Sequence, residues 1–255
     1  MEQINISKNS FILCDSSLLS FIEIIKNMNN RLNEINLKFD KDKLYINEIE
    51  PANVCLDTLE FFNSNFVEYE LDKPFNIGLN LDSLKEVLKN VNAKKDTLRF
   101  NIEDNKLNLI KLNGVKTTFN IALIEVEDNK NKGNLNFKTK IIINSKILKD
   151  IIKNFNKEID TLNIEVNKEY IVFFSNSNSI NIKLDLKDYE EDLFISTDNE
   201  FINKYSVEFL KGMITDKITD NIVLELNKQY PLRLSYKGID NFNYSIILAP
   251  RVNED

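Results

Sequence analysis

Four times along this chain an alternating triplet of apolar residues is followed by a short polar turn and a second apolar run. The triplets are Ile35-Leu37-Phe39, Leu98-Phe100-Ile102, Leu162-Ile164-Val166 and Ile222-Leu224-Leu226, and their first members lie 63, 64 and 60 residues apart. Side chains on a strand point alternately to opposite faces, so each triplet predicts a half-buried strand with one apolar side. The turns Lys41-Asp42, Asp104-Asn105, Asn167-Lys168 and Asn227-Lys228 make each of these strands the first arm of a hairpin. Any fold for this chain has to use one hairpin four times.

A helical pattern runs ahead of each hairpin, over Ser16 to Met28, Asp82 to Val91, Ser145 to Phe155 and Val207 to Ile218. Three of these open on residues suited to cap orphan backbone N–H groups: Asp15 or Ser16, Asp82, and Asn144 or Ser145. In the clearest, NSKILKDIIKNF, Ile147, Leu148, Ile151, Ile152 and Phe155 form one stripe, with Lys146, Lys149 and Lys153 opposite. A period near 63 residues is too long for the common solenoids. It predicts an α+β fold of two pseudo-duplicated domains, each with helices on one face of antiparallel sheets. The stretch EVEDNKNKG, Glu125 to Gly133, is charged and nearly free of apolar residues, which predicts domains at 1–124 and 135–255 joined by a connector at 125–134.

With 42% hydrophobic residues among 255, the chain can fill a substantial core. Its net charge of −7 argues against coating nucleic acid by bulk attraction, so any such contact has to be local. Cys14 and Cys55 are too few and too isolated for a disulfide framework or a zinc site, and predict reduced, buried thiols. With no signal-like start and no long apolar run, the chain is expected to be soluble and intracellular, away from membranes: cytoplasmic and nucleoid-associated, or nuclear in a eukaryote. The absence of histidine excludes Ser-His and Cys-His nucleophile pairs. Carboxylate–metal chemistry could be sought in Asp40 to Asp42 (DKD) or Asp188 to Asp192 (DYEED), but these read more simply as a hairpin turn and a solvated loop. No glycine-rich phosphate loop is present, and no catalysis, metal or cofactor is expected.

The layout resembles the proliferating cell nuclear antigen family of DNA sliding clamps, in particular its archaeal branch, over almost the whole chain. The end SIILAPRVNED is similar to that family's tail, EIEPANV at Glu48 to Val54 to its acidic-Pro-Ala/Ser-x-Val segment, and IGLNLDSLKEVLK and SKILKDIIK to its second and third helices. The resemblance implies a homotrimeric, six-domain ring, sheets outside and helices lining a hole for duplex DNA bound without sequence preference. It also implies a processivity role, tethering DNA polymerase. The clamp loader (replication factor C), flap endonuclease and DNA ligase would dock through short peptides.

On that resemblance, lysines on the polar helix faces would meet phosphates: Lys85, Lys89, Lys146, Lys149 and Lys153, with Lys26, Lys211 and Lys217 as further candidates. Brief lysine contacts suit sliding better than bidentate arginine. Trimer contacts would come from strand edges at Val115, Thr117, Thr118, Phe119 and Ile121, and at Ser179, Ile180, Ile182 and Leu184. Ile49, Pro231, Ile247, Ala249 and Pro250 match the family's client-peptide pocket, and the connector adds only Val126 and Leu135 to its wall, which is unusually polar for the family. The alternatives are a subunit of a heterotrimeric or checkpoint-type ring, a monomeric viral-style processivity factor, and a carboxylate nuclease.

Overall fold

All four hairpins are present as adjacent antiparallel strands in a computed structural model, which describes residues 9–127, 135–156, 158–176, 180–237 and 242–251. The chain divides into two compact units. One takes in Met1–Glu48, Thr58–Lys130 and Gly238–Asn243, the other Ile49–Asp57, Asn131–Lys237 and Tyr244–Asp255. The two units thus exchange the short segments 49–57 and 238–243, which a division into contiguous stretches at 125–134 does not express. Most of the expected connector, 128–134, lies outside the described residues.

The elements of the first half are β1 (Ser10–Leu13), α1 (Asp15–Met28), β2 (Glu34–Phe39), β3 (Lys43–Ile49), β4 (Cys55–Phe62), β5 (Glu68–Glu70), β6 (Phe75–Asn80), α2 (Leu81–Leu88), β7 (Thr97–Glu103), β8 (Lys106–Asn113) and β9 (Val115–Ala122). Five strands order β5-β1-β7-β8-β9, and a second run orders β4-β3-β2-β6. Helices α1 and α2 pack side by side. On α1, Leu18, Phe21, Ile22, Ile25 and Met28 are buried, the spacing that turns one helix face inward. Aromatic rings fill the space beneath: Phe11 lies 4.5 Å from Phe39, which stacks on Phe75 at 4.8 Å, while Phe21 meets Phe61 and Phe100 edge-on. The β7–β8 turn places Asp104 and Asn105 at φ of 50° and 57°, left-handed values that these two residue types tolerate and that a two-residue hairpin requires.

The second half repeats the plan with β10 (Thr139–Asn144), α3 (Ser145–Lys153), β11 (Thr161–Val166), β12 (Tyr170–Phe174), β13 (Asn181–Asp185), β14 (Leu193–Ser196), β15 (Phe201–Ser206), α4 (Val207–Met213), β16 (Asn221–Leu226), β17 (Leu232–Lys237) and β18 (Phe242–Leu248). Four strands order β13-β12-β11-β15, and another run orders β14-β10-β16-β17-β18. Helix α3 packs beside α4 and buries Leu148, Ile151 and Ile152, with Phe155 just beyond its end also buried. Both cysteines are free thiols; Cys55 is buried as expected, whereas Cys14 is only half-buried. No described helix is long and apolar enough to cross a membrane.

Helix ends differ from the periodicity in instructive ways. Helix α2 begins one residue earlier than expected, because Asn80 and not Asp82 accepts the Ser83 N–H at 2.9 Å. Asn144 caps α3, accepting from Lys146 N–H at 3.0 Å and Ile147 N–H at 3.5 Å, but α1 has no side-chain cap bond from its N-cap residue, Cys14. Helix α4 stops at Met213, five residues short of Ile218. The hydroxyl of buried Tyr236 donates to the Met213 carbonyl at 2.7 Å and accepts the Thr215 N–H at 2.9 Å, taking two groups that a longer helix would have used itself. The turn at Asp40 to Asp42 is organised by its own carboxylate: Asp40 Oδ1 accepts the N–H groups of Asp42 and Lys43 at 2.8 and 2.9 Å.

Candidate functional site

Each pair of helices buries one face and leaves the other polar. In the first unit, Lys26 is half-buried near the end of α1, and its Nζ donates to Glu23 Oε1 at 2.8 Å. Lys85, on α2, donates to Asn29 Oδ1 at 2.6 Å, and the Asn29 amide in turn donates to Asp82 Oδ1 at 3.0 Å, so one amide bridges a lysine and an aspartate. Lys89, exposed at the C-cap of α2, pairs with Glu86 one turn back.

In the second unit, Lys146 and Lys153 are exposed on α3 and Lys149 is half-buried. Lys153 pairs with Asp150 at 2.8 Å, and this hydrogen bond raises the Lys153 pKa. Lys149 reaches Asp216, 67 residues away, in the segment that follows α4. That contact holds the Asp216 carboxyl below its ordinary value, with Lys153 adding a smaller push in the same direction. Lys149, Lys153 and the half-buried Lys211 of α4 line a cavity of about 250 Å³ together with Ile152 and Ile214. Lys217 is exposed but stands beyond the end of α4, because that helix terminates early. Seven of the eight lysines expected to meet phosphate therefore lie on the helices or at the C-cap of α2. Unexpected are the partners of Lys26, Lys89, Lys149 and Lys153, since each carries a carboxylate of its own.

The two expected edges are outer strands. β9 ends the order β5-β1-β7-β8-β9 and β13 ends the order β13-β12-β11-β15. On β9, Val115 is 72% exposed, Thr118 is exposed, and Thr117 and Phe119 are half-buried. On the other edge, Ile180 and Ile182 are half-buried, and Ser179 lies outside the described residues. Ile121 and Leu184 are buried in their own units, so an approaching chain would meet their backbone and not their side chains.

Of the candidate pocket residues, Val126 belongs to the first unit, where the segment containing it docks on Gly78: Ile124 N–H donates to the Gly78 carbonyl at 3.0 Å. Ile49, Leu135, Pro231, Ile247, Ala249 and Pro250 belong to the second unit, all half-buried. Glu50, the acidic residue of the Glu-Pro-Ala-Asn-Val segment, was given no role by the sequence, yet it organises this region. Its buried carboxylate accepts the N–H groups of Ala52, Val54 and Cys55 at 2.6, 2.7 and 3.2 Å. The loop so held presents the Val54 carbonyl to the Ala249 N–H at 2.8 Å. Beyond it, Arg251 ties the tail to the Lys204 carbonyl through its N–H and to Asp160 through its guanidinium at 2.5 Å. The signal in the sequence was the acidic-Pro-Ala-x-Val segment itself, which does not say what the glutamate binds.

Comparison with known proteins agrees with this layout. The family profile described as proliferating cell nuclear antigen, N-terminal domain, matches residues 13–132. The DNA polymerase sliding clamp 1 of Thermococcus kodakarensis and the DNA polymerase sliding clamp of Pyrococcus furiosus are each 27% identical over 238 residues, covering 92% of this chain and 95% of theirs. Among solved structures, proliferating cell nuclear antigen from Entamoeba histolytica superposes with a TM-score of 0.86 at 18% identity, covering 96% of this chain and 99% of its own. A proliferating cell nuclear antigen from Thermococcus kodakaraensis superposes at 0.85 with 21% identity, covering 95% of this chain and 100% of its own. A repeated helix-and-hairpin plan, near full-length similarity to archaeal DNA polymerase sliding clamps and the same fold in solved structures make this chain similar throughout to the proliferating cell nuclear antigen family of DNA sliding clamps.

Proposed function

We propose that three copies of this chain close into a ring around duplex DNA and tether the replicative polymerase to its template. The observation that carries this reading is the fourfold helix-and-hairpin plan, in which every helix buries one face and the opposite faces carry lysine. A repeated surface of that kind suits a polymer read without sequence preference, because phosphates recur while bases do not. Topological enclosure then supplies retention that a chain of net charge −7 could not obtain from bulk attraction. The outer strands β9 and β13 each leave an unpaired edge in the isolated chain, and pairing one with the other's copy would close a ring. Clients such as the clamp loader, flap endonuclease and DNA ligase would dock near Ile247 and Ala249.

Light scattering on the purified chain tests assembly, with a trimer expected at micromolar concentration. Retention on circular DNA, and its loss on linearisation, tests enclosure. Changing Lys85, Lys89, Lys149 and Lys153 together to alanine should leave the trimer intact and impair loading and sliding. A quadruple variant that bound and retained DNA like the parent would refute the assignment of these faces. A second reading, a ring built from different chains, is favoured by one fold neighbour, the PCNA2–PCNA3 complex of Sulfolobus tokodaii, with a TM-score of 0.83. A stable monomer in solution would favour it over the homotrimer.

A further inference from the structure

Four of the lysines that would meet DNA are already engaged by carboxylates; that of Lys26, Glu23, is only 12% exposed, and the other three acids are more open. Lys89 pairs with Glu86, Lys153 with Asp150, and Lys149 with Asp216. The first two pairs stand one helical turn apart, with Glu86 and Asp150 67% and 71% exposed, so the acids face solvent beside the lysines and are not buried supports. The third differs in origin, since Asp216 comes from the segment after α4 and reaches across to α3. It thereby engages one of the three lysines, Lys149, Lys153 and Lys211, that line the cavity beside α3 and α4.

We propose that Glu86, Asp150 and Asp216 act as internal competitors for phosphate, each holding a lysine that DNA must recapture and releasing it back as the duplex moves. The proposal rests on the reading that the polar faces of α2 and α3 meet duplex DNA. The physical reason is a matching of strengths. The Glu86 and Asp150 pairs are exposed, and an exposed ion pair is worth only about 1.4- to 5-fold in an equilibrium; the Asp216 pair, 28–29% exposed, is still open to water, so in each a phosphate can displace the carboxylate, and the carboxylate can displace the phosphate once the geometry shifts. A free lysine would hold each phosphate longer, and several together would turn a sliding surface into an adhesive one. The paired lysine also carries less net positive charge to the DNA and releases fewer counterions on contact. The residue types agree with this role, because lysine on a flexible stem can swap partners without losing a bidentate geometry.

The test uses the full chain with the triple substitution Glu86→Gln, Asp150→Asn and Asp216→Asn. A control carrying Glu103→Gln, Asp104→Asn and Asp198→Asn, all exposed and off the helices, changes net charge equally. Affinity for duplex DNA is measured over a salt series, and diffusion of loaded protein is followed on single DNA molecules. The helix-face variant is expected to bind about 3- to 100-fold more tightly than the parent, with a salt slope steeper by up to about 0.9 per released lysine, and to diffuse more slowly. Circular dichroism and solution mass should match the parent. Binding and diffusion equal to those of the charge-matched control would overturn the proposal. If changing Lys85, Lys89, Lys149 and Lys153 to alanine also left DNA retention unaltered, the underlying assignment of the faces would have failed. If those lysines mattered and the amides did not, only the competition would have failed.

Discussion

Replacing Gly78 by alanine would put a methyl carbon 2.3 Å from the carbonyl oxygen of Ile124 and 2.6 Å from Cγ2 of Val126. Ordinary carbon contacts lie near 3.5 to 4.0 Å, so the segment 124–126 has to withdraw by about 1 Å or more. The obstacle is backbone as well as side chain, and no rotamer change relieves it. Withdrawal breaks the Ile124 N–H to Gly78 carbonyl bond, now 3.0 Å, and the single bridge these two residues form. Overpacking costs about 1 to 3 kcal/mol. Loss of the hydrogen bond adds about 0.5 to 1.5 kcal/mol. Restricting the unfolded chain returns about 0.4 to 1 kcal/mol. The net expectation is a loss of about 0.5 to 4 kcal/mol, read as a lower urea midpoint and as faster hydrogen exchange at the Ile124 amide. Gly114 serves as the contrast: it sits at φ +68° with nothing within 4 Å of the added carbon, so alanine there is strained by backbone conformation alone. Gly114→Ala should lower stability without touching Ile124 exchange. If Gly78→Ala were as stable as the parent to within 0.5 kcal/mol and Ile124 stayed protected, docking of this segment on β6 would not be what requires the glycine.

Tyr236→Phe strips the bridge at the end of α4, leaving the Met213 carbonyl and the Thr215 N–H short of a partner; a loss of about 1 to 3 kcal/mol and faster exchange at Thr215 are expected. In Glu50→Gln an amide replaces a carboxylate that accepts three N–H groups, so the loop carrying Val54 should loosen, at about 1 to 3 kcal/mol, and client-peptide affinity measured by calorimetry should fall with it. Ile247→Asp, on the half-buried surface of β18, should abolish peptide binding while solution mass is unchanged; unaltered binding would place the pocket elsewhere. The Asp216 carboxyl is held down by Lys149, so the contribution of this pair is fully present above the ordinary carboxyl value of 3.8 and is lost as pH falls through the depressed one. A carbon-detected titration should show Asp216 titrating below 3.8, and Lys149→Ala should move it back up.

The hairpins and helix faces could be read from the chain because the information is local. Alternation in Leu98-Phe100-Ile102 or the stripe Leu148-Ile151-Ile152 says which side is buried whatever lies across from it. Acid and lysine one turn apart, as in Glu86 with Lys89 and Asp150 with Lys153, are likewise visible in the sequence, although their bearing on the lysine faces emerged only with the geometry. Other features depended on residues that meet only after folding. Helix α4 ends where it does because a tyrosine hydroxyl from β17 arrives at Met213 and Thr215, 23 and 21 residues away along the chain. Asp216 is an unremarkable loop residue until α3 is packed beside α4 and brings Lys149 to it. Gly78 reads as an ordinary strand residue, and its need for a missing side chain comes from a segment 46 residues downstream that crosses it at backbone distance. Local periodicity determines which face of an element is apolar, because that depends on backbone geometry within one strand or one helix. Where an element stops, which charge a lysine holds and where a side chain must be absent depend on atoms brought into contact by packing, and only the tertiary structure decides them.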